Sequence, residues 1–298
     1  MALRAVQHIR RMRGGSQSHL MKAGDGNLYV VKFLNSPQQP RLLANEYFAT
    51  LLALQIGLPV PDPVVIAVDE ELIRSTPELI IELQWSTIPC EAGEQFGSRY
   101  VLLPSQGVTE DVLSSADLHR IGNIESFAGM LAYDMWTCNL DTRQAVYWKA
   151  NGAANYKASF IDFGWCFNKA AWKLPNTFRH WGFADREFYT QVQGWESFEP
   201  WLSSIESLDE SVLADFARQI PSAWYGAEVR RLDGLVKSLV LRRKRVRQLL
   251  AGFRDSSFHP FPNWIGALAP APPGEPVLQA AFAAWRPGPH PHSVMPIQ

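Results

Sequence analysis

Residues 133–167 read YDMWTCNLDTRQAVYWKANGAANYKASFIDFGWCF, and the interpretation of the whole chain starts from this stretch. Two short runs within it, 145–149 and 156–161, are rich in aromatic and β-branched residues. The segment between them contains Asn151-Gly152, a pair that favours a tight reversal of the chain. The stretch therefore predicts a β-hairpin.

Two acidic residues flank the predicted hairpin. Asp141 lies just before its first strand, and Asp162 lies just after its second, within Ile-Asp-Phe-Gly at 161–164. Both carboxylates are therefore expected at the same open end. A phosphoryl-transfer site has this arrangement: one acid orients the attacking hydroxyl, and the other holds the metal ion that bridges the nucleotide phosphates. The alternative is a hairpin with an acid at each end for solubility. Because short motifs often match by chance, this motif alone favours that simpler interpretation.

Composition indicates a packed globular protein and excludes several other classes. The 298 residues are 47% hydrophobic and include eleven Trp, which allows a sizeable core, and the net charge of -1 gives no support for a nucleic-acid-binding surface. Cys90, Cys138 and Cys166 are widely spaced and form no CxxC pair, which argues against a disulfide framework and a zinc site. No apolar run reaches the roughly 18 residues of a membrane span, and the N-terminus lacks the apolar region of a signal peptide. A soluble cytoplasmic protein is expected.

The first 107 residues are predicted to be mainly strands. Strands are predicted at 6–12, 20–23, 28–34, 64–68, 79–83 and 100–103, with a helix at 42–55. The first two strands are joined by Gly14-Gly15-Ser16-Gln17-Ser18. A glycine pair lets backbone N–H groups approach an anion closely, and Ser16, Gln17 and Ser18 add hydrogen-bond donors. An ordinary glycine-rich turn is the simpler alternative.

A lysine interrupts the apolar third strand, which reads YVVKF at 29–33. On a strand, the side chain of Lys32 lies on the face of Val30 and opposite Val31 and Phe33. A lysine in such surroundings needs either an open sheet edge or an anionic partner. Glu46, early in the predicted helix, is a candidate partner if that helix packs behind the sheet. Its alternative role is a solvated acid favoured by the helix dipole.

The pattern becomes helical after a predicted linker at 103–107. Helices are predicted at 113–123, 125–136, 186–194, 201–205, 210–219 and 227–250. The last of these is basic and amphipathic, which is typical of a helix packed on its domain with a solvated face. A docking surface for an acidic partner is the alternative. Residues 256–298 are rich in Pro and poor in charge, and no periodic structure is predicted for them.

In this order the motifs resemble those of the HipA-like kinases, bacterial relatives of the Ser/Thr kinase toxin HipA. The catalytic lobe of that group is also similar to that of phosphatidylinositol kinases. The resemblance covers roughly residues 5–252 and rests on the following segments: the turn at 14–19, the strand at 29–33, Asn45-Glu46-Tyr47, GLPVP at 57–61, Asn139-x-Asp141, IDFG at 161–164 and the basic segment at 241–246.

The resemblance implies a two-lobed, protein-kinase-like α+β fold. A β-rich nucleotide-binding lobe would span 1–107, a mainly helical catalytic lobe 108–255 and a Pro-rich tail 256–298. ATP and Mg²⁺ would lie in the cleft, with the 14–18 turn as the phosphate loop. The resemblance further implies that Lys32 contacts the phosphates, Glu46 orients Lys32, Asp141 acts on the acceptor hydroxyl and Asp162 binds Mg²⁺. The acceptor is expected to be a protein or a small molecule, with a protein Ser or Thr as the leading candidate.

One position departs from the family pattern. That pattern usually has an Asn five residues after the catalytic Asp, where it coordinates a second metal ion, and here the position is Val146. Gln144 and Asn139 are nearby oxygen donors that could replace it. Three alternatives stay open: a kinase with a rewired metal site, a pseudokinase that binds a nucleotide or partner without chemistry, and a lipid or small-molecule kinase. Acceptor identity carries no readable sequence code.

Overall fold

The N-terminal third of the chain forms a small β-barrel with a helix packed against it. The structure, a computed structural model, describes residues 2–38, 41–103, 105–177, 186–226 and 228–266. The strands here are β1 (Leu3–Arg11), β2 (His19–Ala23), β3 (Leu28–Lys32), β4 (Pro63–Val68), β5 (Ile80–Glu82), β6 (Thr87–Pro89) and β7 (Gly93–Arg99). The barrel closes in the order β1-β2-β3-β7-β4, and β5 pairs with β6 as a separate hairpin. The helices of this region are α1 (Leu42–Gln55) and α2 (Glu70–Ser75).

Strand β3 shows the alternation that its sequence predicts. Tyr29 and Val31 are buried in the barrel core, together with Phe33 just beyond the strand. Leu28, Val30 and Lys32 therefore lie on the opposite face, because successive side chains of a strand point to opposite sides. The expectation that Lys32 shares the face of Val30 is confirmed. The predicted helix at 42–55 is also confirmed, since α1 has those bounds.

The strand prediction at 100–103 is wrong, because the barrel strand is β7, which precedes it. Glycines and polar residues hide β7 in the sequence, which reads GEQFGSR. Gly97 explains why an apolar alternation is absent: a Cβ added there would lie 2.9 Å from Cγ2 of Val64 and 2.5 Å from Cδ1 of Ile66. The neighbouring strand β4 supplies the apolar groups that a side chain on β7 would otherwise provide. Helix α2 was likewise not predicted.

From residue 107 onward the described chain is mainly helical, around one three-stranded sheet. Its elements are β8 (Gly107–Glu110), α3 (Ser126–Thr137), β9 (Gln144–Ala150), β10 (Lys157–Ile161), α4 (Trp201–Ser207), α5 (Glu210–Arg218), α6 (Val229–Arg243) and α7 (Val246–Arg254). The helices predicted at 113–123 and 186–194 are instead short 3₁₀ helices at Ser115–Arg120 and Arg186–Tyr189. None of the helices within the described ranges is long and apolar enough to cross a membrane.

The hairpin predicted from residues 133–167 is confirmed. Strands β9 and β10 pair antiparallel, with Gln144 opposite Ile161 and Trp148 opposite Lys157. Ala145, Tyr147, Ala158 and Phe160 are buried in the helical core. Gln144, Val146, Trp148, Ser159 and Ile161 therefore lie on the other face of the hairpin. Part of the predicted linker at 103–107 differs from expectation, because β8 begins at Gly107 and pairs with β9.

The basic segment predicted as one helix at 227–250 is two helices, α6 and α7, which divide at Lys244-Arg245. Its apolar side chains, including Leu235 and Leu239, are buried in the core, so the packed-helix interpretation holds for these residues. Arg242 is buried too. It donates to the carbonyl of Met135 at 3.0 Å, near the end of α3, and to the carbonyls of Pro175 and Thr177. One basic residue of this segment therefore anchors the fold from inside.

The first part of the predicted tail belongs to the folded unit, which extends to Gly266. Phe261 is 7% exposed, and its ring lies 5.6 Å from that of Phe198 and 5.7 Å from that of Trp264. The backbone N–H of Ile265 donates to the carbonyl of Gln193 at 2.9 Å. Residues 256–266 form no helix or strand, as expected, but they are not a separate tail: Phe261 is buried, and Phe258 and Trp264 pack partly buried against the core. The rest of the tail lies outside the described residues.

Helix α1 holds the chain that follows β10. The Asn45 side-chain amide donates to the carbonyls of Gly164, Cys166 and Lys169 at 2.9 to 3.1 Å. Its oxygen accepts from the indole of Trp172 at 2.7 Å. Gly164 packs directly on α1, since an added Cβ would overlap Leu42 and lie 3.0 Å from the Glu46 carboxylate. A side chain at this position would therefore have to displace Leu42 or separate the two segments.

A chain that ends at Ser257 is expected to be less stable than one that ends at Gly266. Loss of Phe258, Phe261 and Trp264 uncovers the aromatic core beneath them, at a cost of about 3 kcal/mol or more. Urea unfolding of both chains measures the difference, and the chain ending at Gly266 is the matched control. Equal unfolding midpoints would contradict the packing of residues 258–266.

Gly164→Ala is expected to reduce the free energy of unfolding by about 1–3 kcal/mol, because the added methyl overpacks the contact with Leu42. Gly234→Ala is the control: Gly234 lies in α6 with no atom within 4 Å of an added Cβ. That change should stabilise the protein by about 0.5–1 kcal/mol. If denaturant titration shows Gly164→Ala to be as stable as the wild type, the contact with α1 is looser than described.

Candidate functional site

Three charged residues from separate parts of the chain meet between the barrel and the hairpin. The ammonium of Lys32 on β3 forms ion pairs with the carboxylate of Glu46 on α1 and with Oδ1 of Asp162 at 2.9 Å. The side chains of Lys32, Glu46 and Asp162 are 9%, 2% and 19% exposed. The structure thus brings together three of the residues that the sequence singled out, and Glu46 is not a solvated first-turn acid.

The electrostatics of this cluster reflect both burial and pairing. Burial alone would lower the pKa of Lys32, but the charges of Asp162 and Glu46 outweigh it, so this pKa is raised and the ammonium stays charged. Burial would raise the pKa of Asp162, but the positive charges of Lys32 and Arg143 hold this pKa below its usual value. Burial raises the pKa of Glu46, against the opposing effect of Lys32. One cation thus serves two carboxylates, and Asp162 is the one more firmly held as an anion.

Glu46 also fixes the backbone next to Asp162. Its Oε2 accepts a hydrogen bond from the N–H of Phe163 at 3.0 Å, while its Oε1 faces Lys32. The carboxylate therefore links β3 to the chain after β10. Asn45, the preceding residue of α1, holds the next turn of the same segment. These two adjacent residues determine where the segment after β10 lies relative to the barrel.

Asp162 itself has a left-handed backbone, with φ of 63°. For a residue with a Cβ this conformation costs about 1–2 kcal/mol, so neighbouring contacts must hold it. Its Oδ1 faces Lys32, and its Oδ2 accepts a hydrogen bond from Nε2 of Gln144 at 3.2 Å. Gln144 is exposed and lies opposite Ile161 in the hairpin. The structure therefore places an amide beside the Asp162 carboxylate.

Asp141 lies at the same end of the hairpin, in the loop between α3 and β9. Its Oδ1 accepts from the N–H of Thr142 at 2.8 Å. The N–H of Leu140 donates to the carbonyl of Trp165 at 3.2 Å, which ties this loop to the segment after Asp162. Burial raises the pKa of Asp141, and the charge of Asp162 adds to the rise. Asp141 and Asp162 therefore lie at the same end of the hairpin, as its sequence predicts.

Asn139 has a local structural role in this loop. It is buried, its Nδ2 donates to the carbonyl of Asp141 at 2.9 Å, and its Oδ1 accepts from the N–H of Asp141 at 3.3 Å. Both ends of the amide are therefore engaged with Asp141. Gln144, rather than Asn139, is the candidate oxygen donor that contacts Asp162.

The glycine-rich turn connects β1 and β2. Gly14 and Gly15 are exposed, Ser16 is partly exposed and Ser18 is buried. Gln17 is engaged elsewhere: its Oε1 accepts from Arg11 at 2.8 Å and from the N–H of Glu82 at 2.7 Å, and its Nε2 donates to the Glu82 carbonyl. The Gln17 side chain therefore fastens the turn to the β5–β6 hairpin, which leaves the exposed glycines as the accessible part of the turn.

A cavity lies where the start of β3, the chain after β7 and the hairpin come together. Its volume is about 400 Å³, and its lining includes Leu28, Tyr100, Leu102, Trp148 and Ser159. The indole N–H of Trp148 donates to the hydroxyl of Ser159 at 3.0 Å. The lining also includes the polar or charged residues Asn27, Asp62, Arg99 and Gln106, so the cavity is more polar than apolar. Its volume lies within the range of pockets that bind small molecules.

Two important residues were missed at the sequence level. Asp134, near the end of α3, and Arg143, two residues after Asp141, form a buried ion pair with a 2.5 Å contact between Nη2 and Oδ1. A signal existed, because Asp134 is an acid in an otherwise apolar helix and needs a cation if it is buried. The role of Asn45 was also missed, although its motif was noted.

Comparison with known proteins places this arrangement in a family. The family model for HipA-like kinase matches residues 5–260. No protein with curated annotation matches the sequence significantly. Among solved structures, the Helicobacter pylori proinflammatory kinase CtkA is similar with a TM-score of 0.52 and 14% identity, over 84% of this chain and 99% of that one.

Two further structures show weaker similarity. The Golgi casein kinase gives a TM-score of 0.45 and 13% identity, over 80% of this chain and 74% of its own. HipA of Shewanella oneidensis MR-1, solved with HipB and operator DNA, has a TM-score of 0.41 and 11% identity. The match covers 82% of this chain and 68% of that one. The family match spans most of the chain, and the CtkA likeness agrees with it in fold. This chain therefore belongs to the HipA-like kinase family.

Proposed function

We propose that this protein is an ATP-dependent kinase that transfers the γ-phosphoryl group to a hydroxyl acceptor, with a protein Ser or Thr as the acceptor. The observation that carries the proposal is the buried cluster of Lys32, Glu46 and Asp162. Membership of the HipA-like kinase family supports the same reaction class. The sheet-rich and helical regions would act as the two lobes of the kinase, with the cleft between β3 and the hairpin.

ATP would bind with its base in the cavity beside Trp148 and its phosphates near Lys32. The cavity volume of about 400 Å³ suits a planar base, and Leu28 and Leu102 provide apolar walls. Lys32 would then exchange part of its pairing with Asp162 for the nucleotide phosphates, while Glu46 keeps the ammonium in place. Exposed Gly14 and Gly15 would cover the phosphates with backbone N–H groups.

The residues at Asp162 fit a Mg²⁺ ion that is shared with a nucleotide. Mg²⁺ in nucleotide sites is held by one or two carboxylates together with phosphates and water, rather than by a complete protein cage. Within the described residues, no three His, Cys, Asp or Glu side chains cluster as metal ligands. Asp162 would be the principal ligand, and Gln144 would join it by turning its amide oxygen inward. When bound, Mg²⁺ neutralises the charge that develops on the phosphates.

In the reaction, the acceptor hydroxyl oxygen attacks the γ-phosphorus of ATP. The bond from that phosphorus to the oxygen bridging to the β-phosphate breaks, and ADP leaves with its electron pair. The hydroxyl proton passes to the Asp141 carboxylate, whose raised pKa makes it a better proton acceptor than an ordinary exposed Asp. Asp141 orients the hydroxyl before transfer.

A second candidate is a nucleotide-binding module without transfer activity. Val146 favours it, because this position faces the cleft but supplies no oxygen for a second metal ion. The retained set of Lys32, Asp141 and Asp162 favours the active enzyme, since binding alone has no need for a proton acceptor at Asp141. Whether the acceptor is a protein, a lipid or a small molecule is decided by the labelled-ATP experiment described below, which offers all three.

Asp141→Asn and Asp162→Asn are expected to have different effects. Asp162→Asn should remove the Mg²⁺-dependent part of the melting-temperature shift caused by ATP, because it weakens a metal ligand. Asp141→Asn should leave that shift unchanged and lower transfer by about 10² to 10⁴, the usual contribution of a positioned acid–base group. Exposed Asp111→Asn is the control. Labelled ATP, with protein, lipid and small-molecule acceptors analysed by mass spectrometry, measures transfer.

The wild type could show the ATP-dependent melting-temperature shift but transfer no more phosphate than the Asp141→Asn variant to any acceptor. In that case the protein is the binding module instead. If the wild type shows no ATP shift at all, both candidate functions are wrong.

Gln144→Ala is expected to raise the Mg²⁺ concentration needed for half-maximal ATP stabilisation, because an oxygen donor beside Asp162 is lost. Val146→Asn is expected to lower it, since the new amide adds an oxygen on the same face of β9. Val146→Ala controls for the volume change. An unchanged Mg²⁺ requirement in Gln144→Ala would exclude Gln144 as a ligand.

A further inference from the structure

Arg143 is a fully buried cation between α3, β9 and the segment after β10. Its side chain is 0% exposed. Nη2 lies 2.5 Å from Oδ1 of Asp134, and Nε donates to Oδ2 at 3.2 Å, so the pair is bidentate. The guanidinium also lies over the ring of Phe163, 4.2 Å from its centroid. Such a planar arrangement is specific to arginine.

The remaining nitrogen of Arg143 holds the backbone of Asp162. Nη1 donates to the carbonyl of Ile161 at 3.1 Å and to that of Asp162 at 2.9 Å. These carbonyls stand on the two sides of the Asp162 α-carbon, whose left-handed conformation needs outside support. The next backbone group, the N–H of Phe163, is held by Glu46 at 3.0 Å. Contacts therefore fix the Asp162 backbone from both sides.

The position of Arg143 excludes a direct contact with substrate. Although it lies two residues after Asp141, its guanidinium is enclosed and committed to Asp134 and the two carbonyls. Stability alone is also a weak explanation, because a buried ion pair often contributes no more than a well-packed apolar pair of similar volume. What an apolar pair could not supply is the donor shared by the two carbonyls.

We infer that Arg143, held in place by Asp134, is a positioning residue that directs the Asp162 carboxylate toward a divalent cation. The inference rests on the proposed kinase function, because it assigns Asp162 as the metal ligand. Asp134 neutralises the guanidinium and fixes its plane. The guanidinium fixes the Asp162 backbone, and the backbone determines where the carboxylate points.

Two variants of the full-length chain test this inference. Arg143→Lys keeps a positive charge beside Asp134 but cannot reach both carbonyls and the carboxylate together. The double variant Arg143→Met/Asp134→Leu replaces the whole ion pair by apolar side chains, which avoids the unpaired buried acid that Arg143→Met alone would leave. Melting temperatures are measured with ADP plus EDTA and with ADP over a series of Mg²⁺ concentrations.

Both variants are expected to keep the ADP shift seen in EDTA and to need at least about tenfold more Mg²⁺ for the additional shift. A loss of this size in metal affinity is typical when residues that hold metal ligands in place are mutated. A crystal structure of Arg143→Lys should show the φ of Asp162 outside the left-handed region. A merely structural ion pair predicts a different result, namely that the double variant recovers wild-type Mg²⁺ dependence.

The inference is overturned if either folded variant has the wild-type Mg²⁺ requirement. Should the double variant fail to fold, Arg143→Lys alone decides, because its charge pairing with Asp134 is retained. A wild-type protein with no Mg²⁺-dependent shift would instead contradict the proposed function, and this inference with it. If only the positioning role is wrong, the wild type still shows the Mg²⁺-dependent shift, and a folded variant has the same Mg²⁺ requirement as the wild type.

Discussion

The buried ammonium of Lys32 is the constraint on which the rest of the structure depends. An unpaired charge in such surroundings would be strongly unfavourable, so its two carboxylate partners must come close. One partner, Glu46, comes from the helix behind the barrel, and the other, Asp162, comes from the end of a hairpin 130 residues later. The ion pairs therefore bring the barrel, helix α1 and the hairpin together at one point. Removing Lys32 would leave both carboxylates without their cation in a dry environment, which is costlier than the ion pairs themselves are stabilising.

Helix α1 carries this organisation through two consecutive polar residues. Asn45 and Glu46 are both buried, although a helix of this kind normally turns apolar side chains inward. Asn45 satisfies carbonyl groups of the segment after β10, and Glu46 satisfies an N–H of the same segment as well as Lys32. Buried polar groups must find partners, so the two side chains determine one position of that segment. Gly164 permits the close approach, and Arg143 supports the same segment from the opposite side.

This arrangement explains why Asp162 can hold an unfavourable backbone conformation. Contacts from α1 and Arg143 reach the groups on both sides of its α-carbon, while Lys32 and Gln144 contact its two carboxylate oxygens. Asp141 contacts residues of its own loop, and burial raises its pKa. Under the proposed function, Asp162 is the metal ligand and Asp141 is the proton acceptor. Val146, on the same face of β9 as Gln144, has no side-chain oxygen to offer a metal ion.

The sequence by itself determined the elements whose signals are local. Turn residues and alternation predict the hairpin of β9 and β10, and helical spacing predicts α1. Alternation also predicts the face of β3 on which Lys32 lies. Local signals also placed Asp141 and Asp162 at one end of the hairpin. Strand β7 and residues 256–266 could not be predicted in this way, because their polar, glycine-rich or irregular sequences fit only the neighbours that the fold supplies. Only the tertiary structure decided that Asp134 pairs with Arg143, that Arg143 holds the carbonyls around Asp162, and that Gln17 fastens the glycine-rich turn to β5. The partners are between 9 and 65 residues apart, and the geometry of each contact depends on how whole elements pack, which no local pattern of residues records.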